Sequence, residues 1–257
     1  MATLPGMAPA PLRYRSAPRS HVGLVRAVNE DSMLVRDDAA LWIVADGMGG
    51  HDNGQWASQT LVGRFAQLDL SIDRAARGPA IVQAIEEGNR TIHDAATMAG
   101  KQMGTTAVVM HCDAGDVLLI WVGDSRIYRL RGDLMVQLTR DHTLVQDLVD
   151  RGSLAAEEAE SHPMSHVLTR AVGTEATLRY DSIVDTAQAG DRYLLCSDGL
   201  SKVVPDDLVA AILATGTIDT AADRLLAETL GRGAPDNTTL VVLSAEEMTA
   251  LGIRPAL

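Results

Sequence analysis

Short apolar runs recur along the chain, each bounded by turn residues: HVGLVR, SMLV, ALWIVA, TAVVMHC, DVLLIWVG, RIYRL, LMVQL, RYLLC and TTLVVL. Their length and Val/Ile/Leu content predict strands. CDAGD between Cys112 and Val117, GDSR after Val122 and RGD before Leu134 are short connections, so the pattern predicts antiparallel hairpins rather than crossover units. A different period appears elsewhere. Gly54 to Leu68 places Trp56, Leu61, Phe65 and Leu68 near one helical face. Pro79 to Met98 aligns Ile81, Ile85 and Ile92, with Pro79 in the first turn. LVQDLVDRG closes on Gly152, and PDDLVAAILATG and DTAADRLLAETLGRG also close on glycine. Hairpins mixed with amphipathic helices predict sheets covered by helices. Residues 1–12, rich in Pro, Ala and Gly and without period, predict a flexible tail. No repeat or linker follows, so residues 13–257 predict one domain.

Composition narrows the function. Hydrophobic residues make up 46% of 257, enough for a large core. A net charge of −12 argues against nucleic acid as a partner, because no basic excess exists to neutralise its phosphates. The N-terminus lacks the apolar stretch of a secretory signal, and no run approaches a membrane span. The expectation is a cytoplasmic protein, monomeric and away from membranes. Cys112 and Cys196 sit in apolar runs and predict buried, reduced thiols. Neither starts a C-x-x-C pair or the C-x5-R signature of a cysteine phosphatase: Lys202 follows Cys196 by six residues and Leu118 follows Cys112 by six. Lys101 and Lys202 are the only lysines.

The candidate chemistry lies in aspartates. ALWIVA runs into Asp46-Gly47, LLIWVG into Asp124, and RYLLCS into Asp198-Gly199; Asp236-Asn237 precedes TTLVVL, and Asp31 precedes SMLV. Singly, each is an ordinary turn residue. As a set they mark strand ends that can converge, and converging carboxylates repel unless a cation neutralises them. Hard oxygen donors select Mg2+, Mn2+ or Ca2+ over zinc, for which no Cys/His spacing exists. Arg26, five residues before Asp31, is suited to gripping a phosphate by a bidentate fork. Taken alone it reads equally well as a surface strand residue.

RAVNEDS (Arg26 to Ser32), VADGMGGH (Val44 to His51), Gly104-Thr105-Thr106, VGDSRIY (Val122 to Tyr128), LCSDGL (Leu195 to Leu200) and Asp236-Asn237-Thr238-Thr239, in this order, resemble the metal-dependent protein phosphatases of type 2C in their bacterial form. The likeness runs from about residue 13 to 244. It implies an α+β fold, a four-layer αββα sandwich in which two stacked antiparallel β-sheets are flanked by helices. It implies two Mn2+ or Mg2+ ions, with a third, weaker ion. By the same resemblance Asp46 bridges both ions and Gly47 lends its carbonyl to one. Asp198 and Asp236 bind the other, and Asp31, with Glu30, acts through ion-bound water. Asp124 joins Asp198 at the third ion, and Arg26 binds the substrate phosphate. The activity implied is hydrolysis of phosphoserine and phosphothreonine in proteins by in-line attack of activated water, opposing a Ser/Thr kinase.

Two departures stand out. Met48 occupies the place where some relatives carry a histidine that protonates the leaving group, so the general acid is unidentified. Asn53 and Gln55 replace a small and an acidic residue, which predicts altered packing rather than lost activity. Residues 139–173 resemble the family's mobile flap, with Ser153 as a helix N-cap before Glu157 and Glu158. Within it His162 is a candidate substrate contact, with an exposed loop histidine as the plain alternative; His51, His142 and His166 pose the same choice, whereas His111 in a strand is structural. A non-catalytic phosphoprotein binder and a hydrolase of small phosphoesters are the competing functions. The full set Asp31, Asp46, Asp198 and Asp236 disfavours the first.

Overall fold

The structure, a computed structural model, describes residues 11–50, 52–159 and 162–248. The expected tail lies outside these residues except for its end, where Leu12 already opens the first strand. The strands in chain order are β1 (Leu12–His21), β2 (Asp31–Arg36), β3 (Leu41–Met48), β4 (Gly104–Thr105), β5 (Ala107–Asp113), β6 (Asp116–Val122), β7 (Arg126–Arg131), β8 (Leu134–Gln137), β9 (Asp181–Thr186), β10 (Arg192–Cys196) and β11 (Thr238–Glu247). The helices are α1 (Asp52–Ala66), α2 (Arg74–Ala99), α3 (Leu144–Asp150), α4 (Ala156–Ala159), α5 (Asp198–Ser201), α6 (Asp206–Leu213) and α7 (Ile218–Gly231).

One sheet runs β1-β11-β10-β7-β8 and the other β2-β3-β5-β6-β9, with β4 beside β3; every pairing is antiparallel. Alternation along the strands divides the core into layers. Trp42, Val44, Met110, Leu119, Trp121, Tyr193, Leu195 and Val241 fill the space between the sheets. The opposite face of β3, β5 and β6 packs through Ile43, Val109 and Ile120 on Leu61, Phe65, Ile85 and Ile92 of α1 and α2. The outer face of the five-stranded sheet packs through Tyr128, Leu194 and Val242 on Val209, Leu213 and Leu225 of α6 and α7. The result is the helix–sheet–sheet–helix sandwich that the resemblance implies.

Three local expectations change. HVGLVR is not a strand: β1 ends at His21, and residues 22–30 form a loop in which Leu24 and Val25 are exposed. The strand before it carries Pro18, which breaks the sequence pattern yet is tolerated because β1 is an edge strand. GDSR is not a hairpin turn: β6 and β7 belong to different sheets, so Gly123-Asp124 is where the chain crosses between them. Pro79 is not in the first turn, since α2 starts at Arg74 after Asp73. Pro79 is therefore the sixth helical residue, past the first turn, where it cannot donate the helical bond back to the Ala75 carbonyl.

Both cysteines are buried, and burial pushes each thiol up to about 12, as expected of inert core residues. Residues 139–173 carry α3 and α4 between β8 and β9; Thr143, not Ser153, makes the hydrogen-bonded N-cap there, accepting from Gln146 N.

Candidate active site

The singled-out aspartates meet at one end of the sandwich because their strands end there. Asp31 and Asp46 are cross-strand partners on β2 and β3. Asp46 is fixed by its backbone: its N–H donates to Thr106 Oγ1 (3.0 Å), and its carbonyl accepts from Thr106 N (2.8 Å) and Thr105 Oγ1 (3.0 Å). Gly47 is packed so closely that a Cβ would overlap the carbonyl of Gly54. Only glycine lets the backbone pass there.

From the other sheet, β10 delivers Ser197 and Asp198. The Ser197 hydroxyl donates to Asp31 Oδ2 (2.8 Å) and accepts from Thr239 N (3.0 Å), stitching the two sheets together beside the site. Asp236 stands just before β11. Its neighbour Asn237 accepts from Glu30 N (2.8 Å) and donates to the carbonyls of Val22 (2.8 Å) and Val28 (3.0 Å). That side chain clamps the 22–30 loop over the site. Gly23, at φ +83°, lets the loop lie against the Asp236 carbonyl. Gln55, one of the departures, donates to Asn29 O and supports the same loop (3.1 Å).

Arg26, Glu30, Asp46, Gly47, Met48, Thr106, Asp124, Asp198, Asp236 and Asn237 line one cleft of about 470 Å³, walled on one side by His166, Thr169 and Arg170. Asp31 lies behind it, buried, with Oδ1 lacking a hydrogen-bond partner. Electrostatics follow from crowding. Burial, with Asp198 and Asp236 nearby, pushes Asp31 up to about 7 against the Ser197 hydrogen bond. Burial and then Asp31, Asp198 and Asp124 hold Asp46 well above the carboxylate range. Asp124 rises to about 6 through burial and Asp198, with Lys202 opposing.

The chain supplies cations to part of this cluster. Arg26 Nη2 donates to Asp236 Oδ2 (2.7 Å). Lys202 Nζ donates to Asp198 Oδ2 (2.6 Å) and Asp124 Oδ2 (2.8 Å). Burial lowers the Lys202 ammonium, but Asp198 and Asp124 outweigh that and raise it. As the side chains are oriented, no group of three His, Cys, Asp or Glu among the described residues stands arranged to hold an ion. The donor set nevertheless fits hard divalent cations: oxygen donors alone, an unpartnered buried Asp31 oxygen, and carboxyls held high by burial and by acidic neighbours.

The histidines sort differently. His162 is outside the cleft lining, and its Nδ1 accepts from Met164 N within its own turn (3.1 Å). His166 does line the cleft. His142 is not an exposed loop residue. It is buried and stacked on Trp121 at 6.3 Å, and its Nδ1 accepts from Gly123 N (3.1 Å) while Nε2 faces Asp181 (3.1 Å). His51 lies outside the described residues, and His111 is buried in β5 as expected. Lys202, Arg170, Ser197 and Asn237 were not singled out from sequence. Lys202 had a signal, standing four residues after Asp198 in a chain with two lysines.

A stacked double sheet with an acidic cleft at its end defines a class, and comparison supplies the family. The protein phosphatase 2C family model matches residues 19–233. The chain is 41% identical over 241 residues to the serine/threonine protein phosphatase PstP of Mycobacterium tuberculosis, covering 92% of this chain and 46% of that protein. The chain thus spans about half the length of that relative. Serine/threonine phosphatase stp of Listeria innocua is 35% identical over 240 residues, covering 90% of this chain and 95% of its own. The catalytic domain of PstP in complex with 2 manganese ions superposes with a TM-score of 0.84 at 38% identity, covering 91% of this chain and 99% of that one. The chain belongs to the protein phosphatase 2C family.

Proposed function

We propose that this chain is a metal-dependent protein phosphatase that hydrolyses phosphoserine and phosphothreonine. The observation that carries the reading is the convergence of Asp46, Asp124, Asp198 and Asp236, from four separate places in the chain, on one cleft that also holds Arg26. The manganese in the PstP catalytic domain supports the choice of ion. In this reading Asp46, the Gly47 carbonyl, Asp198 and Asp236 would hold two Mn2+ or Mg2+ ions, Asp46 serving both, with Asp31 behind them. Bound ions supply Lewis acidity and positive charge.

The chain's own groups do the rest. Arg26, half-exposed at the cleft mouth, grips the phosphate oxygens, moving its fork from Asp236 toward the substrate. Arg170 and His166, on the wall formed by residues 139–173, reach the substrate where His162 does not. Met48 carries no proton, so none of the leaving-group protonation falls to it. Residues 139–173 act as a flap of the single domain. The reading extends to a cytoplasmic monomer whose substrates include the Ser/Thr kinase of its pathway. No helix among the described residues is long and apolar enough to cross a membrane. Light scattering and phosphoprotein profiling of a deletion strain test these extensions.

The decisive experiment is release of phosphate from a phosphothreonine peptide with Mn2+, with and without chelator. Chelator-sensitive turnover is expected. Its absence beside a working control overturns the enzyme reading in favour of a phosphoprotein-binding one. Turnover of aryl phosphate without turnover of phosphopeptide overturns the substrate class.

A further inference from the structure

We propose that Lys202 is a cation built into the site, its ammonium standing on the Asp124–Asp198 pair in place of a divalent ion, so that this chain binds two ions and not three. The inference rests on the two-ion reading above and concerns a residue that reading does not use.

The placement follows from backbone geometry. Lys202 N donates to Asp198 O at 2.9 Å, one helical turn on, so the Lys202 side chain stacks beside the Asp198 carboxylate. Leu200 and Val204, both fully buried, fix that turn to the core. The ammonium then lies 2.6 Å from Asp198 Oδ2 and 2.8 Å from Asp124 Oδ2, taking one oxygen from each. It arrives from outside the main cleft. Lys202 lines a separate small cavity with Arg126, Asp141, Gln146 and Ser165, whereas Asp124 and Asp198 face the main one.

Charge decides what else fits. Two carboxylates carry −2, and the ammonium reduces that to −1. The nearby guanidinium of Arg126 is spent on a bidentate pair with Asp141, Nε to Oδ1 (3.1 Å) and Nη2 to Oδ2 (2.8 Å). A divalent ion needs carboxylate oxygens at about 2.0–2.6 Å. Between the same two side chains it would stand within a few ångströms of the ammonium, in a site where Asp124 is only 4% exposed and screening is weak. One cation excludes the other, and the tethered one is present at every ion concentration. Lys202 is thus a positioning residue: it pins Asp198 and supplies a charge that does not depend on metal supply.

The experiment is a Mn2+ titration of the full chain, counting free ion by electron paramagnetic resonance up to millimolar concentration. Wild type should saturate at two ions. Lys202→Met should gain a third. Lys202→Arg, keeping the charge, should remain at two. Asp124→Asn should also remain at two, because Asp124 serves the lysine and not an ion, and this arm holds even if Lys202→Met does not fold. Three ions in wild type, two in a folded Lys202→Met, or loss of an ion in Asp124→Asn would each overturn the proposal. None or one in wild type would instead sink the two-ion reading, and this inference with it.

Discussion

Asp31 and Asp46, on the six-stranded sheet, have no ion-paired cation among the described residues, whereas Asp198 and Asp236, at the ends of the five-stranded sheet, meet Lys202 and Arg26. The first pair is held by strand register and by hydroxyl and backbone contacts, and its carboxyls are pushed upward by burial. The second pair stands on connections and is partly neutralised by the chain itself. If the proposed ions bind, the difference teaches where they would matter most: on the half where the protein offers only oxygen and the carboxylates stand within a sheet.

The harshest way to break this comparison is Asp46→Asn. Turnover should fall by about 10³-fold, while thermal melting in chelator should hold or rise, because burial and crowding by Asp31, Asp198 and Asp124 make the raised Asp46 carboxyl a cost to the fold at neutral pH. A destabilised ion-free variant, or one with wild-type rates, contradicts the picture. Next, Asp198→Ala and Asp236→Ala should each cost about 10²-fold in kcat with the fold retained by circular dichroism. Rates near wild type in either would reassign the ligands. Arg26→Ala is expected to lower kcat/KM by about 10- to 100-fold. Its side chain is 52% exposed, so its pair with Asp236 should add under about 1 kcal/mol to stability, as urea melts can read.

The last test sharpens the contrast through pH. Asp31 is raised to about 7 from the ordinary 3.8, so its protonated form is favoured in the fold. The folded chain then binds more protons than the unfolded one between these values. Its contribution is present in full below pH 4 and is lost as pH climbs through 7. In chelator, Asp31→Asn should lack this slope. The difference between the proteins should widen from near zero at pH 4 to at most about 4 kcal/mol at pH 8. Parallel pH profiles would show that Asp31 is not the strained group.

Most of this architecture was legible because apolar strands and helix stripes obey simple periods. What failed had physical reasons. β1 is interrupted by Pro18, acceptable on an edge and invisible to a pattern that treats proline as a breaker. β9, DSIVDT, is largely exposed, with Val184 71% accessible, so it lacks an apolar signature. The Gly123–Asp124 turn is short enough for a hairpin, and only three-dimensional closure shows its strands diverging to different sheets. At the site, the aspartates were visible by their place at strand ends. Ser197 and Asn237 were not, since their roles are contacts with Asp31 and with the 22–30 loop, far away in sequence.

The crossover at Gly123–Asp124 has a bearing on how such a molecule can vary over time. The same turn delivers a cleft carboxylate, joins the two sheets, and is locked to residue 142 by a reciprocal pair, Gly123 N to His142 Nδ1 and His142 N to Gly123 O. Lengthening it by one residue would disturb all three at once. Descendants of this gene should therefore accept insertions and deletions in the exposed 151–158 stretch, while that three-residue passage keeps its length.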